Sequence, residues 1–213
     1  MKQQLLYILL VFFIGCKDGI KDPGLALKPS DVDSGVSNRS SWQKPQEVIN
    51  LLGDMQDMTI ADVGAGTGYF TFRMAFKAKK VLALDIDPSM ISLMETFRTN
   101  LPQDIHDKIE IRKVDEDDPK LSSEEVDAAI IINTITYISN KEEYLTKLRQ
   151  GMKPGGKVII VDFKKEKLNI SAPPIEERYD ASMLVLDLKA AGFHHVELNQ
   201  DLLTYQYVVM ALA

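Results

Sequence analysis

Asp62-Val63-Gly64-Ala65-Gly66-Thr67-Gly68-Tyr69-Phe70 is the stretch whose reading decides the fold. An apolar run from Met58 to Val63 leads into it and has the look of a buried strand. A segment with helical character, Tyr69 to Lys79, leads out. Between them stand three glycines at alternate positions. Glycine has no Cβ and tolerates φ > 0, so such a turn lets a ligand lie against bare backbone. The start of the following helix offers unpaired N–H groups and partial positive charge. A strand, a glycine turn and a helix in that order make a nucleotide-type site.

The composition around this stretch is that of a globular protein, with 213 residues, 45% hydrophobic and 26% charged. The formal net charge of −6 counts against non-specific nucleic-acid binding, which needs a basic footprint. Cys16 is the single cysteine, so an internal disulfide and a cysteine zinc site are both excluded. His106, His194 and His195 show no metal-ligand spacing, and no metal is expected.

The N-terminus reads differently. Lys2 precedes an apolar run, Leu5 to Ile14, that ends in Gly15-Cys16. Ten residues are too few to cross a bilayer, which takes about 20. A basic residue, a short apolar core and a small residue before a break fit a secretory signal. Phe13-Ile14-Gly15-Cys16 resembles a bacterial lipoprotein cleavage box, although Phe13 departs from the usual leucine. Residues 1–16 are therefore expected to be a signal peptide, with lipid on Cys16 and the protein anchored to a membrane of a bacterial cell envelope. The alternative is a buried first helix in a cytoplasmic protein. Residues 17–41, rich in Asp, Ser, Gly, Pro and Lys, read as a flexible tether.

From Trp42 on, strands and helices alternate. A short helix with Val48, Ile49, Leu51 and Leu52 stops at Gly53. After the glycine turn comes Val81 to Leu84 as a second strand, then a helix over Ser89–Asn100 and a strand around Ile109–Val114. Val126 to Ile132 is almost continuously apolar, as a central parallel strand should be. A helix over Glu142–Gln150, a strand over Lys157–Phe163, a long polar connection over Lys164–Tyr179 and a helix over Ala181–Ala191 follow. Val196–Leu198 and Tyr205–Ala211 are joined too closely for a parallel crossover and are expected to pair antiparallel. The fold class is thus α/β, a three-layer Rossmann-like doubly wound sheet of about seven strands, parallel except for a C-terminal antiparallel hairpin.

A dinucleotide fingerprint would need a third glycine where this chain has Tyr69, which counts against a nicotinamide-dependent oxidoreductase. With Asp62 on the strand before Gly64, Gly66 and Gly68, residues 42–213 resemble the class I S-adenosylmethionine-dependent methyltransferases. Met152-Lys153-Pro154-Gly155-Gly156 matches a turn of that family. The resemblance implies S-adenosylmethionine as cofactor. It places Asp62, Gly64, Ala65, Gly66 and Gly68 around the donor, Asp85 and Ile86 at the ribose, Asp115 and Glu116 at the adenine, and Asn133 at the end of the fourth strand. Asp87, next to Pro88, reads instead as a helix cap. The glycines would then seat an adenosine joined to an amino acid, with no phosphate.

Methyl transfer from a sulfonium works largely by in-line positioning, so a missing general base is no mark of inactivity. The catalytic residues stay open. Trp42, Lys44, Tyr137 and Arg178 are candidates to face a small-molecule acceptor, each with a plain alternative as packing or solvated charge. The expected function is S-adenosylmethionine-dependent methyl transfer to an unidentified small molecule. The alternative is a non-catalytic binding or scaffold lipoprotein that keeps the fold.

Overall fold

The computed structural model describes residues 39–213. The expected signal segment, the lipidation site Cys16 and the tether up to residue 38 lie outside the described residues. The tether's last three residues do not belong to it. Helix α1 runs over Arg39–Gln43, so the ordered domain starts upstream of Trp42.

Seven strands form one sheet: β1 (Thr59–Val63), β2 (Lys80–Asp85), β3 (Ile109–Lys113), β4 (Val126–Ile132), β5 (Met152–Phe163), β6 (His194–Asn199) and β7 (Gln206–Leu212). Their order across the sheet is β3-β2-β1-β4-β5-β7-β6. The first five are mutually parallel. β7 runs antiparallel to both β5 and β6, as the short connection requires. The order reverses between β1 and β4, the position at which open sheets of this kind bind ligands.

The central strands read as unbroken apolar runs because both faces are covered. On one face Ile60, Ala83, Ile130 and Val161 pack with Val48 and Ile49 of α2 (Pro45–Asn50), Met74 of α3 (Thr71–Ala75) and Met94 of α4 (Pro88–Arg98). On the other, Ala61, Leu82, Ile131 and Ile160 pack with Leu145 and Leu148 of α6 (Lys141–Gly151) and with Leu184 and Leu188 of α7 (Ala181–Ala190). The long helices are capped where the sequence invites it. Asp87 accepts from Ser89 N at 2.7 Å, Asn140 from Glu143 N at 3.3 Å and Asp180 from Ser182 N at 2.8 Å.

Several boundaries differ from the pattern reading. The helix expected over Tyr69–Lys79 is only α3, because Gly68 holds φ +82 and the turn persists through Phe70. A one-turn helix α5 (Gln103–His106) and a 3₁₀ turn (Ile135–Tyr137) were not expected. β5 begins at Met152 rather than Lys157, since Met152 already pairs with Val126 before an irregularity in the ladder. Glycine is required at 156 in that irregularity: a Cβ there would lie 2.9 Å from the carbonyl oxygens of Asp127 and Lys153. Residues 164–179 contain neither helix nor strand, as anticipated.

Candidate functional site

At the carboxyl edge of the sheet, beside the reversal of strand order, lies a cleft of about 240 Å³. Val63 and Gly64 form one wall, Leu84, Asp85 and Ile86 the floor, and Val114, Asp115 and Glu116 the far side. Thr134, Tyr137 and Ile138 close it from the loop after β4, and Tyr144 from the first turns of α6.

The glycine turn hugs the end of β2. Gly64 N and Ala65 N both donate to Leu84 O, at 2.8 and 3.0 Å, and Gly68 N donates to Ala65 O at 2.9 Å. Gly66 N donates to Asp85 Oδ2 at 2.7 Å. Four of the turn's N–H groups are thus spent inside the protein, so the cradle is no oxyanion nest of the kind that holds phosphate. Each glycine has its own reason. A Cβ on Gly64 would come within 2.3 Å of Thr134 Oγ1, and one on Gly68 within 2.4 Å of the Phe72 ring. A Cβ on Gly66 would meet nothing within 4 Å, so glycine is favoured there by its φ of +56 rather than by close approach.

Asp85 is the fixed acid of the cleft. Its side chain is largely buried, and it accepts from Gly66 N through Oδ2 and from Asp87 N through Oδ1 at 2.9 Å. Each oxygen of a carboxylate has a second acceptor site. Two vicinal hydroxyls of a ribose can therefore be taken by one rigidly held group. Asp115 and Glu116 share the cleft with Asp85, as the sequence suggested. Asp115 is held by a two-bond bridge of its backbone with Asp118 and pairs with Lys120 Nζ at 2.8 Å. Ile86 is half exposed at the rim.

Asp62 takes a different part. It is 2% exposed and accepts from Thr71 Oγ1 at 2.6 Å, tying the end of β1 to the start of α3. Burial pushes its carboxyl up to about 6, against the pull of the Thr71 hydrogen bonds, with the Asp85 charge adding to the rise. Asn133 lies in the left-handed region at φ +57 and is not among the residues that line the cleft. Its side-chain oxygen accepts from the amide of Gln206, whose own oxygen accepts from Gln43 Nε2 at 3.2 Å. These amides form a chain between β4, β7 and α1.

The four acceptor-side candidates are not gathered together. Tyr137 stands 61% exposed at the mouth of the cleft. Trp42 packs on Phe163 and Tyr205, with centroid distances of 5.9 and 6.3 Å. Lys44 donates to Leu202 O at 3.3 Å and pairs with Glu47 at 3.4 Å. Arg178 is neither a solvated charge nor open to an acceptor. It is buried, and its guanidinium donates to the carbonyls of Pro173, Lys164 and Glu166 at 2.7, 3.0 and 2.6 Å, stapling residues 164–179 into one loop. Only a charge with five donors in a fixed fork does this.

Asp162 was missed. It is 1% exposed at the end of β5, accepting from Phe163 N at 2.7 Å and Thr136 N at 3.4 Å, and burial pushes its carboxyl up to about 6. It holds the 3₁₀ turn that carries Tyr137. Thr136 in turn donates through Oγ1 to Glu177 O, joining that turn to the 164–179 loop. An acid inside the apolar run Val158–Phe163 was the available signal. Among the described residues no cluster of metal-ligating side chains occurs.

A switch-point cleft with a rigid acid at the second strand and a phosphate-poor glycine turn defines a nucleoside-binding α/β protein. Comparison with known proteins narrows the class. Residues 61–158 match a methyltransferase domain model. An uncharacterized methyltransferase of Bacillus subtilis is 28% identical over 154 residues, covering 72% of this chain and 81% of that protein. A tRNA U34 carboxymethyltransferase of Ruthia magnifica is 29% identical over 140 residues, covering 60% of this chain but 42% of the relative. The chain spans still less, 27%, of a phosphoethanolamine N-methyltransferase of Triticum aestivum. Among solved structures, a SAM-dependent methyltransferase from Aquifex aeolicus superposes with a TM-score of 0.74 at 25% identity, covering 87% of this chain and 98% of that one. Residues 61–158 thus match a methyltransferase domain, within a chain that has the fold of the S-adenosylmethionine-dependent methyltransferases. S-adenosylmethionine is the cofactor that fold takes, and a cradle without a phosphate nest, closed by Asp85, fits it.

Proposed function

We propose that this chain is an S-adenosylmethionine-dependent methyltransferase acting on a small-molecule acceptor. The observation that carries the reading is Asp85. Its two oxygens are oriented by Gly66 N and Asp87 N, and each keeps an acceptor site toward a cleft whose opposite wall is Asp115 and Glu116. Bound S-adenosylmethionine supplies a methyl group on a sulfonium whose departure leaves a neutral thioether. The chain's own residues bind and orient. Asp85 takes the ribose hydroxyls, Asp115 or Glu116 the adenine amino group, and Val114, Ile138 and Leu84 give apolar walls that exclude water. Tyr137, at the mouth and fixed from below by Asp162 through Thr136, is the side chain we assign to the acceptor.

The net charge of −6 and the acidic stretch 115–118 beside the cleft favour a small acceptor over a nucleic acid. The test is calorimetry of the full chain with S-adenosylhomocysteine. Binding lost in Asp85→Ala supports the reading, and no heat at millimolar ligand refutes it. Donor binding without turnover on a broad acceptor panel would favour the non-catalytic alternative. Export and lipidation at Cys16 rest on Leu5–Cys16 of the sequence. Mass spectrometry of the native N-terminus tests them: lipid on Cys16 supports an envelope anchor, and an intact Met1–Cys16 segment overturns it.

A further inference from the structure

The glycine turn leaves a problem for any ligand with an amino-acid end. A free carboxylate needs donors, yet the N–H groups of Gly64, Ala65, Gly66 and Gly68 are already spent on Leu84 O, Asp85 and Ala65 O. Asp62 and Asp85, the two acids beside the turn, repel an anion. Some other group must meet that charge.

Arg39 is placed to do so. It comes from α1, outside the methyltransferase match of residues 61–158. Its guanidinium lies over the ring of Tyr69, the residue after the last glycine of the turn, at 4.3 Å. Arg73 lies over the same ring at 3.7 Å. The charge of Arg39 is close enough to Asp62 and Arg73 to be felt electrostatically, and burial with the Arg73 charge lowers its pKa from the ordinary arginine value. A half-buried cation beside a second cation gains most from an anion. The polar contact of Arg39 is Nε to Gln43 Oε1 at 2.5 Å, and neither Nη group has an acceptor among the described residues. A carboxylate is the partner that two uncommitted Nη groups of one planar fork take best.

The Nε contact aims the group. Gln43 is fully buried and donates to Gln206, and Gln206, equally buried, donates to Asn133 at the end of β4. In a chain of amides each donor direction is set by its neighbour. Arg39 is therefore held by a line of bonds running from the strand edge that borders the acceptor side. We propose that Arg39 binds the carboxylate at the amino-acid end of the donor, and that the Gln43–Gln206–Asn133 amide chain positions it. The inference rests on the reading of the cleft as a donor site. It makes α1 part of that site and makes this chain selective for donors that keep a free carboxylate.

The experiment compares two ligands on the full chain by calorimetry: S-adenosylhomocysteine, and 5′-methylthioadenosine, which has the nucleoside but no amino-acid end. Arg39→Met keeps the stem over Tyr69 and removes the charge. It should weaken S-adenosylhomocysteine about 10- to 100-fold, the worth of a charge-assisted bond lost, and leave methylthioadenosine unchanged. Gln206→Leu, which cuts the amide chain but spares Arg39, should shift the same ratio in the same direction by a smaller factor. Unchanged methylthioadenosine binding also reports that the variants are folded. Equal loss for both ligands, or no loss for S-adenosylhomocysteine, overturns the assignment of Arg39. A wild-type chain that binds neither ligand overturns the donor site itself. Wild-type binding with an insensitive Arg39→Met overturns the inference alone.

Discussion

Gly64→Ala tests how tightly the glycine turn is fitted against the loop after β4. Two costs add at this position. The backbone sits at φ +69, and an alanine in the left-handed region costs about 1–2 kcal/mol. The new Cβ would lie 2.3 Å from Thr134 Oγ1, 2.4 Å from Thr134 Cγ2 and 2.9 Å from Thr134 Cβ. No real Cβ tolerates such distances, and overpacking of this kind costs about 1–3 kcal/mol. The sum is about 2–5 kcal/mol, a large part of a domain's stability. The two costs separate in a double-mutant cycle. Thr134→Ala removes the two closest atoms at the loss of its 3.1 Å bond to Ile132 O, about 1 kcal/mol. In the Gly64→Ala background the same change should return about 1–2 kcal/mol of the steric cost, because Thr134 Cβ at 2.9 Å still presses and the strain at φ +69 stays. Urea unfolding of the four proteins measures this through the shift in midpoint at constant slope. Additivity of the two substitutions, or a Gly64→Ala cost below about 1 kcal/mol, would refute the close approach.

Asp85→Ala should raise the Kd for S-adenosylhomocysteine by about 10²-fold, since two charge-assisted bonds go, while Asp85→Asn retains part of the affinity; an unchanged Kd in both would remove Asp85 from the ribose. The pH dependence has a definite sign. Asp62 and Asp162 are raised to about 6 in the fold, so the folded state keeps their protons longer than the unfolded one. Each contributes stability that is present below about pH 4 and lost as pH rises to about 6, up to about 3 kcal/mol apiece. Asp162→Asn should therefore gain on wild type between pH 4 and 6 and hold a constant advantage above; a difference flat across pH 4–7, read by urea midpoints, would show that Asp162 ionises normally. Arg178→Ala removes the one guanidinium that three loop carbonyls share, and should cost about 2–4 kcal/mol and open residues 164–179 to limited proteolysis, with donor affinity unchanged. Arg178→Lys should not rescue it, lacking the fork.

The parts of this protein that were legible in the sequence are those with a short-range physical signature. The apolar runs around Val63, Leu84 and Ile131 announce buried strands because both faces are covered. Gly64, Gly66 and Gly68 announce the turn because all three hold positive φ, and at Gly64 and Gly68 close approach adds to it. The place of Asp85 beside the cleft was legible, since it ends the apolar run of β2 at the carboxyl edge of the sheet. What was illegible depends on partners far along the chain. Gln43 and Gln206 are separated by 163 residues, and nothing local marks either as half of a buried pair. Arg178 looks like one more surface charge until Pro173, Lys164 and Glu166 turn their carbonyls toward it. Asn133 was assigned by its place at a strand end, and its bond to Gln206 could not be read from there. The early start of α1 hid in a stretch whose composition is that of a linker.

The sheet order has a consequence for how the protein comes into being. β7 lies between β5 and β6, pairing with β5 from Lys157↔Leu212 to Phe163↔Gln206. A ribosome makes β6 before β7, so during synthesis β6 has no neighbour to join and β5 shows an open, strongly apolar flank. Gln206, which closes the amide line to Asn133 and Gln43, arrives with that same late segment. The nascent chain thus carries an exposed strand edge for as long as its last strand is unmade, a natural target for holding chaperones. The Gln43–Gln206–Asn133 amide line is therefore among the last contacts to form, after translation of residues 206–212.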